Sequence, residues 1–416
     1  MDKFLIKGIQ KIKGTITASG AKNAGLPIMA ATILASGKHI IKNVPDLIDI
    51  RTMAKLLRII GAQVNFENNT LKIITNGCDN HSAPYDLVKT MRASIYVLGP
   101  LLARKGEAKV SFPGGCALGA RPIDLHLKAF EKLGAKFEVK HGYICGKTEK
   151  LIGANIFFET KSVGATANVL MAAVTAQGKT LLQNAACEPE ITSLAKVLNS
   201  MGANITGLGT EILEIQGVEK LYPMKTTLIP DRIETGSLLI AAAITRGSIT
   251  VENCNPDHLG IVLEKFENAG FQITTTKDSI SLSSKGDKSS LEITTNPYPG
   301  FPTDLQPQFA ALLSTISGKS SIYETIFPDR FMYTTELQRL GADIKLSGNE
   351  IIIRGGNKLS GAPLMASDIR AAAALVLAAL VSSGETEVSR IYHLDRGYEN
   401  FENKLTNLGA NIKRVQ

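Results

Sequence analysis

Leu340-Gly341-Ala342-Asp343-Ile344 is one of six near-copies of a single phrase, and that phrase decides how the chain is organised. The others are Ile60-Gly61-Ala62-Gln63-Val64, Leu133-Gly134-Ala135-Lys136-Phe137, Met201-Gly202-Ala203-Asn204-Ile205, Ala269-Gly270-Phe271-Gln272-Ile273 and Leu408-Gly409-Ala410-Asn411-Ile412. Their glycines are 73, 68, 68, 71 and 68 residues apart, and a fixed period marks a repeated structural unit. A second series, Gly37, Gly106, Gly178, Gly247, Gly318 and Gly384, keeps step at intervals of 69, 72, 69, 71 and 66 residues. Each of these follows an Ala/Leu-rich stretch and precedes a short β-like run. A unit therefore contains two helix-to-strand transitions punctuated by glycine.

The interior of a unit reads the same way. Ile50, Met53, Leu57 and Ile60 fall at helical spacing, and Gly61 supplies the left-handed stop that helix C-termini favour. Apolar and charged residues alternate over Lys136-Phe137-Glu138-Val139-Lys140, a strand with one wet face, and Gly142-Tyr143-Ile144-Cys145 reads as its hairpin partner. The order is βαβαββ. The sixth unit reaches Gln416 before its last strand can form, whereas Lys3-Phe4-Leu5-Ile6-Lys7-Gly8 resembles the closing strands of the other units. The N-terminus is thus predicted to complete the sixth unit. No repeat has the polar outer face of a solenoid cap. The expectation is an α/β (α+β) protein of two closed domains of three units each, with a crossover near Leu228-Ile229-Pro230-Asp231 and a cleft between the halves. Residues 21–229 form one domain, and 1–20 with 230–416 form the other.

Composition limits the function. With 416 residues, 44% hydrophobic and 20% charged, the chain is an ordinary globular protein. Its longest apolar run, Ala371 to Val381, has 11 residues, short of the roughly 20 that span a bilayer, so a buried helix is predicted and no membrane association. The N-terminus lacks the apolar core of a signal peptide, which predicts a cytoplasmic protein. Five cysteines without C-x-x-C spacing indicate reduced thiols, with neither zinc nor disulfides. Cys78, Cys145, Cys187 and Cys254 read as small buried hydrophobes. A net charge of +8 suits nucleic acid, an anionic small substrate or solubility, and the absence of Trp argues against a base-stacking surface.

The stretches that depart from the repeat are the functional candidates. Ser19-Gly20-Ala21-Lys22-Asn23-Ala24 opens a helix with free N–H groups and a lysine, a start that suits an anion, although from this fragment alone Lys22 reads more simply as a solvated turn residue. Pro113-Gly114-Gly115-Cys116-Ala117-Leu118-Gly119-Ala120-Arg121-Pro122 replaces a tight connection. Its small neighbours cannot bury Cys116, and Arg121 supplies positive charge, so a reactive thiol competes evenly with an inert one. Pro122 opens the next helix, with Asp124 in its first turn. Asp304, within Phe301-Pro302-Thr303-Asp304-Leu305-Gln306, has the simpler reading of a helix cap, and Ser367-Asp368-Ile369-Arg370 that of a cap with a solvated arginine. His393, Asp395 and Arg396 read most simply as a charged loop.

Taken together, Gly20-Ala21-Lys22-Asn23-Ala24, the Pro113–Pro122 segment, Lys161-Ser162-Val163-Gly164-Ala165-Thr166, Phe301-Pro302-Thr303-Asp304 and Arg390-Ile391-Tyr392-His393-Leu394-Asp395-Arg396-Gly397-Tyr398-Glu399 resemble the enolpyruvyl transferases, in the bacterial branch whose acceptor is UDP-N-acetylglucosamine. The resemblance spans essentially the whole chain with its motifs in order; Gly25 and Pro307 depart from it beside the motifs. It implies two domains of three units around pseudo-threefold axes, an inside-out α/β barrel. It also implies transfer of the enolpyruvyl group of phosphoenolpyruvate to the sugar 3-hydroxyl, a step of peptidoglycan synthesis, with no cofactor, no metal and a monomeric enzyme. Cys116 would protonate C3, and Asp304 would take the sugar hydroxyl proton in the return direction. Lys22, Arg121 and Arg396 would hold the phosphate and Arg370 the carboxylate, with Asn23 and Arg92 positioning ligands. The uridine and diphosphate would meet Arg121, Pro122, Ile123, Asp124, Leu125, Lys161, Ser162, Val163, Gly164, Ile326 and Arg330. Asp368 would anchor its neighbours. A shikimate-phosphate-type enolpyruvyl transferase would lack the cysteine loop, and a basic nucleic-acid-binding repeat protein would leave all five motifs unexplained.

Overall fold

The computed structural model describes residues 2–8, 11–89, 91–112 and 123–416. The repeat becomes six four-stranded sheets. Each sheet has the same order: a short parallel edge strand, a central strand after the second-series glycine, the closing strand, and the strand of the repeated phrase. In the fifth unit these are Glu292–Thr294, Gly318–Tyr323, Glu350–Gly355 and Asp343–Ser347. The hairpin expected in the second unit pairs Lys136–Lys140 with Tyr143–Lys147. The N-terminal strand Lys3–Lys7 lies between Glu385–Ser389 and Asn411–Val415, antiparallel to both, and so completes the sixth sheet.

The helix predicted over 50–60 runs Ile48–Ile60 and stops at Gly61 in the left-handed conformation, φ 111°. Gly247, unlike Gly61, is not itself left-handed. The left-handed residue there is Arg246, φ 54°, and glycine follows it for space, because a Cβ would stand 2.1 Å from the Ile12 carbonyl oxygen. Backbone cannot yield as a side chain does, so Gly247→Ala should destabilise the fold by about 1–3 kcal/mol. A urea unfolding midpoint equal to that of the natural protein would disprove this.

Two compact units divide the chain. In the unit formed by Pro230–Gln416 with the N-terminal segment ending at Ser19, the helices Arg232–Ile244, Gln306–Leu313 and Ile369–Ala379 pack on one another and on their sheets. Ala371 to Ala379 are buried on every side, as expected of a helix that is apolar all round. In the other unit, within residues 20–229, Val163–Ala173 packs against Lys22–Ala31 and Leu98–Lys105. Helices therefore form the interior and sheets the flanks. The strand Lys13–Thr17 just before the first of these helices does not join the sheet of the first unit; it pairs with Ser248–Glu252. Lys225–Thr227 takes the vacated place beside Lys38–Lys42. A parallel edge strand needs only a matching neighbour, so the first and fourth repeats have exchanged theirs.

Strand ends repeat as well. Asn43, Asn184 and Asn253 each follow a central strand in the left-handed conformation. Their amide nitrogens donate to the carbonyl just past the parallel edge strand, at Leu228 (3.0 Å), Phe158 (2.7 Å) and Ala18 (2.8 Å). Cys78, Cys187 and Cys254 are buried as expected, whereas Cys145 is only partly so because it faces outward on its hairpin strand. Among the described residues no helix is long and apolar enough to cross a membrane.

Candidate active site

Asp304 lies in a short 3-10 turn, Thr303–Leu305, ahead of the buried helix Gln306–Leu313. It is not a helix cap. One carboxylate oxygen accepts from Arg330 at 2.7 Å and the other from Arg370 at 2.6 Å. Both guanidinium groups are almost fully buried, with side chains 4% and 7% exposed. Burial alone would raise the acid's pKa, but the charges of Arg370 and Arg330 overcome it and hold the carboxyl well below the usual carboxylate range. Arg370 is therefore not the solvated arginine of the simplest reading. It projects from the first turn of Ile369–Ala379, whose true cap is Asp368, accepting from the Arg370 and Ala371 N–H groups at 2.8 and 3.1 Å. Asp368 thus fixes the turn that carries the arginine.

Behind this pair the polar groups form a small network that sequence reasoning missed. Arg370 donates to the Tyr398 hydroxyl at 3.3 Å, and Gln308 donates to that hydroxyl and to the Asp304 carbonyl, both at 3.0 Å. Tyr398 stands in the same motif as Arg396, the one available signal. Arg396 itself ends a 3-10 turn, Ile391–Arg396, and is half-buried. Asp395 belongs to the framework, since Arg414 binds it at 2.7 and 3.0 Å. His393 is lowered by burial and by Arg396.

In the other unit Lys22 is the first residue of its helix, whose start has no side-chain cap and no acidic residue. Its side chain is 9% exposed, with Nζ 3.6 Å from Asp49, so it is neither solvated nor on a free turn. Asn23 is half-buried beside it. Arg92 and Asp124 both act electrostatically on His126, which burial, then Arg92, push down to about 4. Asn168 fixes this neutral ring. Its Oδ1 accepts from the Gly99 N–H, which leaves Nδ2 to donate to His126 Nδ1 at 3.0 Å. Gly164 packs against the same ring, where a Cβ would approach to 3.3 Å. Ile123 is buried and Leu125 partly so, at the head of Asp124–Lys132. Ser162 caps Val163–Ala173 by accepting from the Ala165 N–H at 3.2 Å, and Lys161 pairs with Glu211. Arg92 and Asp124 act on, and Gly164 packs against, one buried imidazole that the sequence did not single out. Cys116, Arg121 and Pro122 lie outside the described residues.

Residues 6–405 match the family model of EPSP synthase (3-phosphoshikimate 1-carboxyvinyltransferase). Relatives named UDP-N-acetylglucosamine 1-carboxyvinyltransferase from Desulfosudis oleivorans and Geotalea uraniireducens are each 52% identical, with all of both chains covered. Among solved structures, the enolpyruvyl transferase NikO from Streptomyces tendae superposes with a TM-score of 0.91 at 26% identity, covering 100% of this chain and 99% of its own. EPSP synthase from Acinetobacter baumannii shares the fold, with a TM-score of 0.78 at 19% identity over all of both chains. A match this complete, over the same paired three-unit architecture, makes the chain a member of the EPSP synthase family of carboxyvinyl (enolpyruvyl) transferases.

Proposed function

We propose that this enzyme transfers the enolpyruvyl group of phosphoenolpyruvate to the 3-hydroxyl of UDP-N-acetylglucosamine and releases phosphate. The observation that carries this reading is the 52% identity over the full length to relatives of that name, against 19% to the EPSP synthase structure. In the first step the sugar oxygen bonds to C2 of phosphoenolpyruvate while C3 gains a proton. In the second, C3 loses a proton as the C2–O bond to phosphate breaks. A proton donor, a base and cationic groups for phosphate and carboxylate are required.

The residues present fit those roles. Lys22 sits at an uncapped helix start, where N–H groups and an ammonium attract an anion, and Arg121 and Arg396 would complete the phosphate clamp. Arg370 would bind the carboxylate. An Asp304 held by two guanidinium groups is a poor base, but an incoming carboxylate competes for Arg370 and would release one of its oxygens. Substrate binding would thereby raise the basicity of Asp304 when the sugar hydroxyl needs it. Cys116 would serve as proton donor on its glycine-rich loop. Asn23 and Arg92 would position ligands, and Arg121, Pro122, Ile123, Asp124, Leu125, Lys161, Ser162, Val163, Gly164, Ile326 and Arg330 would contact the sugar nucleotide.

The reaction would commit the sugar nucleotide to peptidoglycan in the cytoplasm, and so bear on cell shape and division, with the enzyme acting as a monomer. Phosphate release from phosphoenolpyruvate should require UDP-N-acetylglucosamine and collapse in Cys116→Ala, and fosfomycin should add to the natural thiol and not to the variant on intact-mass analysis. Release with shikimate 3-phosphate in place of the sugar nucleotide would overturn the acceptor, and full turnover by Cys116→Ala would overturn the thiol's role.

A further inference from the structure

We propose that Glu324 is a positioning residue that fixes the Asp304–Arg330 pair through Thr303, an inference that rests on the role given to Asp304 above. Glu324 follows the central strand of the fifth unit, the place occupied by Asn43, Asn184 and Asn253 in three other units. Those asparagines are structural: each ties its strand end to the carbonyl just past the parallel edge strand. In the fifth unit that carbonyl belongs to Thr295, and the neighbouring residue has taken over the tie, the Thr325 hydroxyl donating to it at 2.6 Å. Position 324 is thereby released from the repeat's requirement, and it holds a fully buried carboxylate.

Burying that carboxylate is costly unless its oxygens are satisfied, and they are. One oxygen accepts from the Thr295 hydroxyl at 2.8 Å and from the Ile326 and Phe327 N–H groups at 2.8 and 3.0 Å. The other accepts from the Thr303 hydroxyl at 2.9 Å. Because Thr303 gives its only proton to Glu324, its lone pairs face Arg330, which donates to them at 2.8 Å through one terminal nitrogen and to Asp304 at 2.7 Å through the other. The guanidinium plane is thus set from behind. An asparagine would have met the repeat's need but could not turn the Thr303 hydroxyl this way. The same carboxylate holds the backbone of Ile326, a residue assigned to the sugar nucleotide, so one group organises two contacts of the site.

The groups facing Asp304 are Arg330 and Arg370, with Tyr398 and Asp231 acting on Arg370 and Tyr333 lying near Glu324 and Arg330. In Glu324→Gln the new amide would donate toward Thr303, leaving the hydroxyl proton without its acceptor and Arg330 without a fixed partner. The Asp304 carboxyl should then drift upward. Phosphate release measured against pH should show kcat about 10- to 100-fold lower, the KM for phosphoenolpyruvate within about twofold of the natural value, and the acid limb displaced to higher pH. Thr303→Val should reproduce both changes and Thr303→Ser should restore them; this pair carries the test if Glu324→Gln does not fold. An unchanged acid limb and kcat in Thr303→Val, alongside an inactive Asp304→Asn, would overturn the proposal while leaving the reaction intact. Full turnover by Asp304→Asn would remove the role of Asp304 itself, and this one with it.

Discussion

Asp304→Asn should lower kcat for phosphate release by about 10²- to 10⁴-fold, the range over which a positioned acid or base acts. The KM for phosphoenolpyruvate should not rise. Arg370, which in the natural enzyme is engaged by Asp304 at 2.6 Å, would meet the substrate carboxylate with a weaker competitor in the way. Stability should fall at the same time. Asparagine keeps one acceptor oxygen, enough for Arg330 or Arg370 but not for both, and removing one partner from a buried ion pair costs about 3–5 kcal/mol. The pH dependence is distinctive. A carboxyl whose native pKa is depressed contributes its stability in full above its ordinary value of about 3.9 and loses it as pH falls through the lower native value. The gap between the two proteins' melting temperatures should therefore stay constant from about pH 8 to 5 and close only below about pH 4. Unchanged kcat would refute the catalytic role, and a gap that closes near neutrality would refute the ion-pair account.

That outcome also measures how far the sequence could be read. The repeat was legible because its glycines and its alternating strands answer to local backbone rules, and Gly61 meets them in the fold. The exchange of Lys13–Thr17 and Lys225–Thr227 was not legible, since a parallel edge strand of three to five residues carries no address for its neighbour. At the site, Asp304 and Arg370 were singled out, but local spacing favoured a cap for the one and solvent for the other. The competing fact, that they meet across 66 residues of chain, belongs to tertiary packing alone. Glu324 stands six residues after Gly318, as Asn43, Asn184 and Asn253 stand six after Gly37, Gly178 and Gly247, so its departure was visible; what that asparagine does, and hence what the change means, belongs to tertiary structure. His126 and Asn168 were hidden among apolar neighbours, where a histidine reads as filler.

A second buried carboxylate should behave in the opposite sense. Glu234, in the first turn of Arg232–Ile244, is 2% exposed and accepts from Lys404 at 2.7 Å and from the Ser19 N–H at 2.5 Å. Lys404 also donates to the Ser19 hydroxyl at 2.8 Å, which itself donates to Glu399 at 2.6 Å. The cluster ties the end of the N-terminal segment to the helix that opens the second half of the chain. Burial pushes Glu234 above the usual carboxylate range, and Lys404, by charge and hydrogen bond, only partly offsets it. For a raised carboxyl the sign reverses. Its contribution is fully present below the ordinary value and is lost as pH rises through the native one. Lys404→Met removes the offsetting charge and leaves an unpaired buried acid, which at neutral pH should cost about 3–5 kcal/mol and lower the melting temperature by roughly 6–20 °C for a unit of this size. The deficit should be greatest near pH 8 and shrink toward about pH 5, where the acid can take up a proton and the helix start no longer carries an uncompensated charge. Thermal melts of Lys404→Met and the natural protein across that interval decide the matter. A deficit independent of pH would mean that Lys404 acts through packing of its methylene chain, and the electrostatic account of this cluster would fail.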